Sequence, residues 1–185
     1  MENIQTKNNI NEDLFEKIAN GDNEAFTELY YASYKQIYGF LLSLTRNKED
    51  AEDLLQNTYI RIRNGSHLYK KQGTPMTWMC AIAKNQYLDF VRKYGKNRSV
   101  DFGEVENYIS EGMAAKTDDS KSVEDRMLLE SAFSILGEQD RTIVVLHMIN
   151  GLKHREISEL TGLPLSTVLS KYNRSLKKMK EIVME

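Results

Sequence analysis

The stretch LKHREISELTGLPLSTVLSKYNRSLKKMK, residues 152–180, decides how the rest of the chain is read. Ile157 and Leu160 form an apolar i, i+3 pair, Gly162 supplies a residue that tolerates positive φ, and Pro164 suits the first turn of a helix. The stretch predicts two short helices joined by a tight turn, the grammar of a helix-turn-helix. At about 100° per residue, Thr167, Lys171, Arg174 and Lys178 of the second helix fall within about 60° of one another, with Leu165, Val168, Tyr172 and Met179 on the other side. One face is expected to pack on the first helix. The other would offer a hydroxyl and three cations to a DNA major groove, which is wide enough for a helix. A lone run of charge usually marks only a solvated face, but the Gly turn and the two matched apolar faces favour DNA binding.

The chain has 185 residues, enough for one domain or two small ones, and with only two Pro and ten Gly it fits an all-α fold. Cys80 is the single cysteine, which excludes an internal disulfide and a Cys-cluster metal site, and three scattered His give no ligand spacing. No metal or other cofactor is expected. The amino terminus is polar, without a basic-then-apolar leader, and the apolar runs, such as residues 143–146, are far too short to span a bilayer. A soluble cytoplasmic protein, not inserted in a membrane, is expected. The net charge is −2, but its distribution is uneven: −6 over residues 1–60, +8 over 61–98, −6 over 101–125 and +5 over 153–180. Two basic blocks alternating with two acidic ones predict two polyanion-binding surfaces and an acidic connector.

Periodicity predicts helices over residues 12–18 and 23–44, broken at Gly21. Tyr30, Tyr34 and Tyr38 form an i, i+4, i+8 stripe, read as packing rather than as a stacking surface. Asn47 and Asp50 supply a cap and a first-turn acid for a helix to about residue 63, whose stripe of Ala51, Leu54, Leu55, Thr58 and Ile62 faces inward. Opposite lie Asp53, Gln56 and Ile60, an apolar residue in a polar face and a candidate protein-docking surface. After the basic connector comes a helix over residues 76–93. Its less apolar arc carries Trp78, Ile82, Asn85, Gln86 and Asp89. Trp and Asn beside a basic loop suit unstacked bases, which offer a face to stack and an edge to read; packing in a second core layer is the competing role for Trp78. Residues 94–121 lose periodicity and read as an acidic linker. Helices over 122–136 and 138–149 then precede the helix-turn-helix.

Together these residues resemble a known family. Asp50-Ala51-Glu52-Asp53-Leu54-Leu55-Gln56, Thr77-Trp78 with Ile82-Ala83-Lys84-Asn85, Gly151-Leu152 with Glu156-Ile157, and Thr167-Val168 with Ser170-Lys171 resemble an extracytoplasmic-function sigma factor of bacterial RNA polymerase. The resemblance covers nearly the whole chain, with the motifs in the right order. It implies two helical domains: residues 1–95 for the polymerase clamp helices and the melted minus-ten element, and 122–185 for the minus-thirty-five element and the polymerase flap. Residues 96–121 would be the flexible linker that threads the polymerase. Carried over by position, Asp53 and Gln56 belong to the clamp-binding helix, Tyr69, Trp78, Lys84 and Asn85 to the strand-melting region, and Thr167, Lys171 and Arg174 to the recognition helix. Core RNA polymerase, promoter DNA and a regulating anti-sigma factor are the implied partners. Pro75, Ala81 and Leu169 depart from the pattern, standing where an aromatic, a cation and Lys are usual, so tight promoter binding is expected to depend on the polymerase.

Two other classes fit less well. A conventional helix-turn-helix repressor or activator would need an effector pocket or dimer seam where residues 61–98 offer a basic surface. An enzyme would need a phosphate-cradling loop, a metal spacing or a nucleophile pair, and Glu52 and Asp53, adjacent on a helix, point about 100° apart. No catalytic residue is expected.

Overall fold

The computed structural model describes residues 10–71, 73–95 and 133–183. Its secondary structure among those residues is entirely helical: α1 (Asp13–Ala19), α2 (Asn23–Thr45), α3 (Lys48–Gly65), a 3₁₀ turn (Ser66–Leu68), α4 (Pro75–Tyr94), α5 (Glu138–Met148), α6 (His154–Thr161) and α7 (Leu165–Val183). The expected linker over 96–121 and helix over 122–136 lie outside the described residues, apart from the last four positions of that helix.

The helix boundaries follow from capping chemistry. Asp22 accepts from the Glu24 and Ala25 amides at 2.9 and 3.0 Å to start α2, and Asn47 accepts from the Asp50 amide at 2.9 Å to start α3. Thr74 accepts from the Thr77 amide at 3.3 Å, and Pro75 occupies the first helical position of α4, where its missing N–H would have had no partner. Gly162 ends α6 in the left-handed region at φ 77°, the conformation the turn requires. Pro164 falls one residue before α7 rather than inside its first turn, its carbonyl accepting from the Val168 amide at 3.0 Å.

The interior is continuous from one half of the chain to the other. Leu29, Ile37, Phe40 and Leu41 of α2 meet Leu54 and Ile62 of α3 and Met79 and Ala83 of α4, and the same buried set runs on through Ile143–Leu146 of α5 to Ile157 of α6 and Val168 of α7. Helix α5 packs against α2, α6 and α7, which explains why its apolar run has no exposed side. Polar groups inside are satisfied locally. The Ser33 and Tyr59 hydroxyls share a hydrogen bond at 2.7 Å between α2 and α3, and burial pushes the Tyr59 phenol up. Tyr30 stacks on Tyr34 and meets Tyr59 edge-on, so the tyrosine stripe is packing, as expected.

Candidate nucleic-acid and polymerase interface

Three surfaces carry the predicted site residues. On α3, Asp53, Gln56 and Ile60 are all exposed along one side, opposite the buried Ala51, Leu54, Thr58 and Ile62. Ile60 is 56% exposed. Tyr31 on α2 is more exposed still, at 71%; the sequence marked its neighbours in the stripe and gave no signal for it.

On α4, Asn85 is exposed, whereas Trp78 is half-buried against an aromatic cluster. Its ring meets Phe15 and Tyr69 edge-on at centroid distances of 5.3 and 5.5 Å, and Tyr69 stacks on Phe15 at 4.1 Å. Desolvation, followed by the nearby Glu12, pushes the Tyr69 phenol up to about 12. As folded, both rings use part of their surface on each other and on α1, the packing role weighed above for Trp78.

Lys84 is also engaged. Its ammonium donates to the Leu160 carbonyl at 2.5 Å, in the last turn of α6, where a cation meets the negative end of the helix. The opposite end of α6 is held as well. Glu156 accepts from the Thr77 and Thr74 hydroxyls of α4 at 2.8 and 3.3 Å, while its second oxygen accepts from the Lys153 amide at 2.7 Å. Between these grips the buried Asn150 amide donates to the Gln36 carbonyl at 3.1 Å and reaches Cys80 Sγ at 3.4 Å. The first helix of the helix-turn-helix is thus docked along the helix expected to meet melted DNA. Sequence reasoning missed this arrangement, because each partner lies 70 or more residues away along the chain.

On α7 the structure shifts the expected faces. Val168, Ser175 and Met179 are buried, so the outward direction runs through Ser166, Ser170, Asn173 and Lys177. Arg174 and Lys178 are exposed on one shoulder of that face. Thr167 is half-buried, and Lys171 is turned inward, its ammonium 2.7 Å from Asp140 of α5, with side chains only 24% and 15% exposed. Leu165, expected on the packing side, is instead 40% exposed. The cause is Ser175: its hydroxyl donates to the Lys171 carbonyl at 2.8 Å, so it enters the core without an unsatisfied group and rotates the buried arc towards Lys171.

At the joint of the helix-turn-helix, His147 and His154 stack at 4.2 Å, and Tyr172 of α7 meets both rings edge-on. His147 Nδ1 lies 2.8 Å from the Leu152 carbonyl, which requires a proton on that nitrogen. Burial, then the neighbouring His147, lowers the His154 pKa. The described residues hold no cluster of three or more His, Cys, Asp or Glu side chains placed for a metal, and no helix among them is long and apolar enough to cross a membrane.

Residues 29–97 match sigma-70 region 2 and residues 126–179 match sigma-70 region 4, in that order along one chain. The chain belongs to the extracytoplasmic-function sigma factors. Among its relatives, this sigma factor is 25% identical over 172 residues to the extracytoplasmic-function sigma factor SigX of Bacillus subtilis, with 85% of this chain and 83% of SigX aligned. It is 31% identical over 169 residues to SigE of Mycolicibacterium smegmatis, covering 88% of this chain and 64% of that one. Its fold is shared with CnrH, solved in complex with the cytosolic domain of CnrY, at a TM-score of 0.63 and 18% identity over 94% of this chain and 97% of the other. It is shared equally with the sigma factor RpoE of Bartonella quintana, solved with the anti-sigma factor NepR, at 0.63 and 16% over 87% and 98%. A sigma factor is a DNA-binding regulatory protein. It gives core RNA polymerase its promoter specificity, and that function replaces the conventional repressor or activator as the reading of this helix-turn-helix.

Proposed function

We propose that the sigma factor divides a promoter between its two halves. Asp53, Gln56 and Ile60 on α3 would dock on the polymerase clamp helices, and α4, through Asn85 with Tyr69, Trp78 and Lys84, would hold the melted minus-ten strand. The outward face of α7 would enter the major groove of the minus-thirty-five element, with Arg174 and Lys178 as the contacting cations and the flap nearby. The observation that carries this reading is the α6–Gly162–α7 corner with an exposed cationic face, on the same chain as an exposed α3 face backed by core. Lys171, held on Asp140, is given a positioning role: it fixes the angle of α7 on α5. The chain acts through binding rather than catalysis, without a cofactor, in the cytoplasm where bacterial polymerase works.

An anti-sigma factor is the regulator added to this reading. The support is the precedent of CnrH and RpoE, both solved with a bound partner, together with an apolar cleft of about 280 Å³ between the halves, lined by Phe40, Leu44, Tyr87, Leu146, Leu160 and Leu163. Run-off transcription tests the main claim. Core polymerase plus this chain is expected to produce transcripts from a discrete set of promoters in a genomic template library, and neither component alone should do so. A chain that adds no specific transcript to the core enzyme is not working as this sigma factor.

A further inference from the structure

The exposed shoulder of α7 opposite Arg174 and Lys178 carries two leucines, Leu165 and Leu169, each 40% exposed. They are one helical turn apart, within about 40° of one another around the axis. Leu165 is the first residue of the helix, and both lie in its first two turns. Single exposed apolar residues need no explanation. These two form a pair at the end of a helix-turn-helix second helix whose amino-terminal residues lie against base edges when the helix enters the groove.

Ser166, Ser170 and Asn173 stand between this apolar shoulder and the cationic one, all exposed. Over its first turns the helix therefore presents hydrogen-bonding groups in the middle and hydrocarbon on one flank, with Arg174 and Lys178 on the other flank and Lys177 and Lys180 further along the helix. Arg174, Lys177, Lys178 and Lys180, all exposed, identify the occupant of this face as a polyanion rather than an apolar protein surface. Within the major groove of a polyanion with this width, the one hydrocarbon group that base pairs display is the C5 methyl of thymine. Side chains four residues apart are separated by about 6 Å along a helix axis, close to two base steps at about 3.4 Å each.

Resting on the proposed minus-thirty-five role of α7, we infer that Leu165 and Leu169 are specificity determinants that read thymine methyl groups, so the upstream element of this sigma factor contains thymines about two steps apart on the groove wall facing this shoulder. Burying a methyl against a leucine corresponds to about a fourfold change in affinity. Leucine offers no hydrogen bond, so this reading distinguishes thymine from uracil, which an amide or guanidinium reading the O4 edge does not.

The test uses the full chain with core polymerase to select upstream elements from a randomised duplex library, followed by binding measurements in which each thymine of the selected element is replaced by deoxyuridine. The wild type is expected to lose about fourfold at one or two thymines and nothing at the others. Leu169→Ala should abolish the deoxyuridine penalty at one of these positions and Leu165→Ala at the other, whereas Leu169→Met should retain it. Selection of an element with no thymine, tolerance of deoxyuridine at every position, or a Leu169→Ala loss equal for thymine and deoxyuridine overturns the inference while leaving the sigma-factor reading in place. Failure to select any element with polymerase present overturns the minus-thirty-five reading and this inference with it.

Discussion

Lys171 and Asn85 show what one residue's surroundings add to its sequence. A helical wheel grouped Lys171 with Thr167, Arg174 and Lys178 because all four fall within about 60°, and it had no means of placing Asp140 on the helix packed alongside. With both side chains at least three-quarters covered, the pair lies between a surface ion pair and a buried one. Lys171→Ala is expected to destabilise the fold by about 1–3 kcal/mol, with strong non-additivity against Asp140→Ala. Arg174→Ala should leave stability within about 0.5 kcal/mol, because the residue is exposed, and lower binding to the upstream element by about 1–3 kcal/mol where it reads a base edge. Urea unfolding and duplex titration on the same proteins separate the two roles. The exposure of Asn85, like that of Asp53 and Gln56, was legible from sequence, since each lies away from its helix's main apolar stripe. Asn85→Ala should impair promoter opening, read by permanganate reactivity of thymines near the minus-ten element, more than closed-complex binding, and a premelted template should restore activity only in part. Wild-type opening by Asn85→Ala would move the base pocket elsewhere on the basic half.

At the scale of elements the sequence was most legible where capping and periodicity are local. Asn47, Gly21 and Gly162 marked real boundaries, and the apolar stripe of α3 became its buried side. It was least legible where a side chain's role depends on a second helix. His147 and His154 are separated by a helix end and a turn, yet α7 presses Tyr172 against both and holds them face to face. Burial disfavours the charged form of His154, and the neighbouring His147 works in the same direction. The His154 pKa therefore lies below its ordinary 6.5 in the folded chain and near that value in the unfolded one. Between the two values the unfolded state binds more protons. The stability contributed by the neutral His154 is complete above the mid-6s and declines as pH falls through them. Urea midpoints at pH 7.5 and 5.5 should show this loss in the wild type and a flatter profile in His154→Gln; equal slopes would remove the stacked pair as its source.

At the scale of the molecule, two basic surfaces were expected from the alternating charge blocks, but not how the two halves meet. Besides the shared apolar core, the polar contacts that join them are Glu156 with Thr74 and Thr77, Lys84 with the Leu160 carbonyl and Asn150 with Gln36, and none of these residues carries in its own half a pattern that names its partner in the other. Their consequence is geometric. With α6 lying on α4, the two helices proposed to meet DNA, α4 and α7, sit within one small body, whereas minus-ten and minus-thirty-five elements about 25 base pairs apart are separated by about 85 Å of duplex. If α4 and α7 take the proposed roles, both elements cannot be engaged in this arrangement, and the polar grips are expected to break when the chain works with polymerase. The Glu156 and Lys84 grips are suited to breaking, because hydroxyl–carboxylate and ammonium–carbonyl contacts at a partly exposed seam are readily replaced by water, whereas Asn150 is buried. Asp89→Cys and Lys177→Cys place labels on exposed positions of α4 and α7, and Cys80, buried and with its thiol pushed up by desolvation, should stay unmodified. The distance between the labels is expected to be short in the free chain and to lengthen by tens of ångströms in the open promoter complex. A Glu156→Ala, Lys84→Ala double variant should broaden the free-chain distribution towards the long distance. An unchanged label distance in an open complex that still makes transcript would mean that the two halves engage DNA without separating, and the docked seam would then belong to the working form.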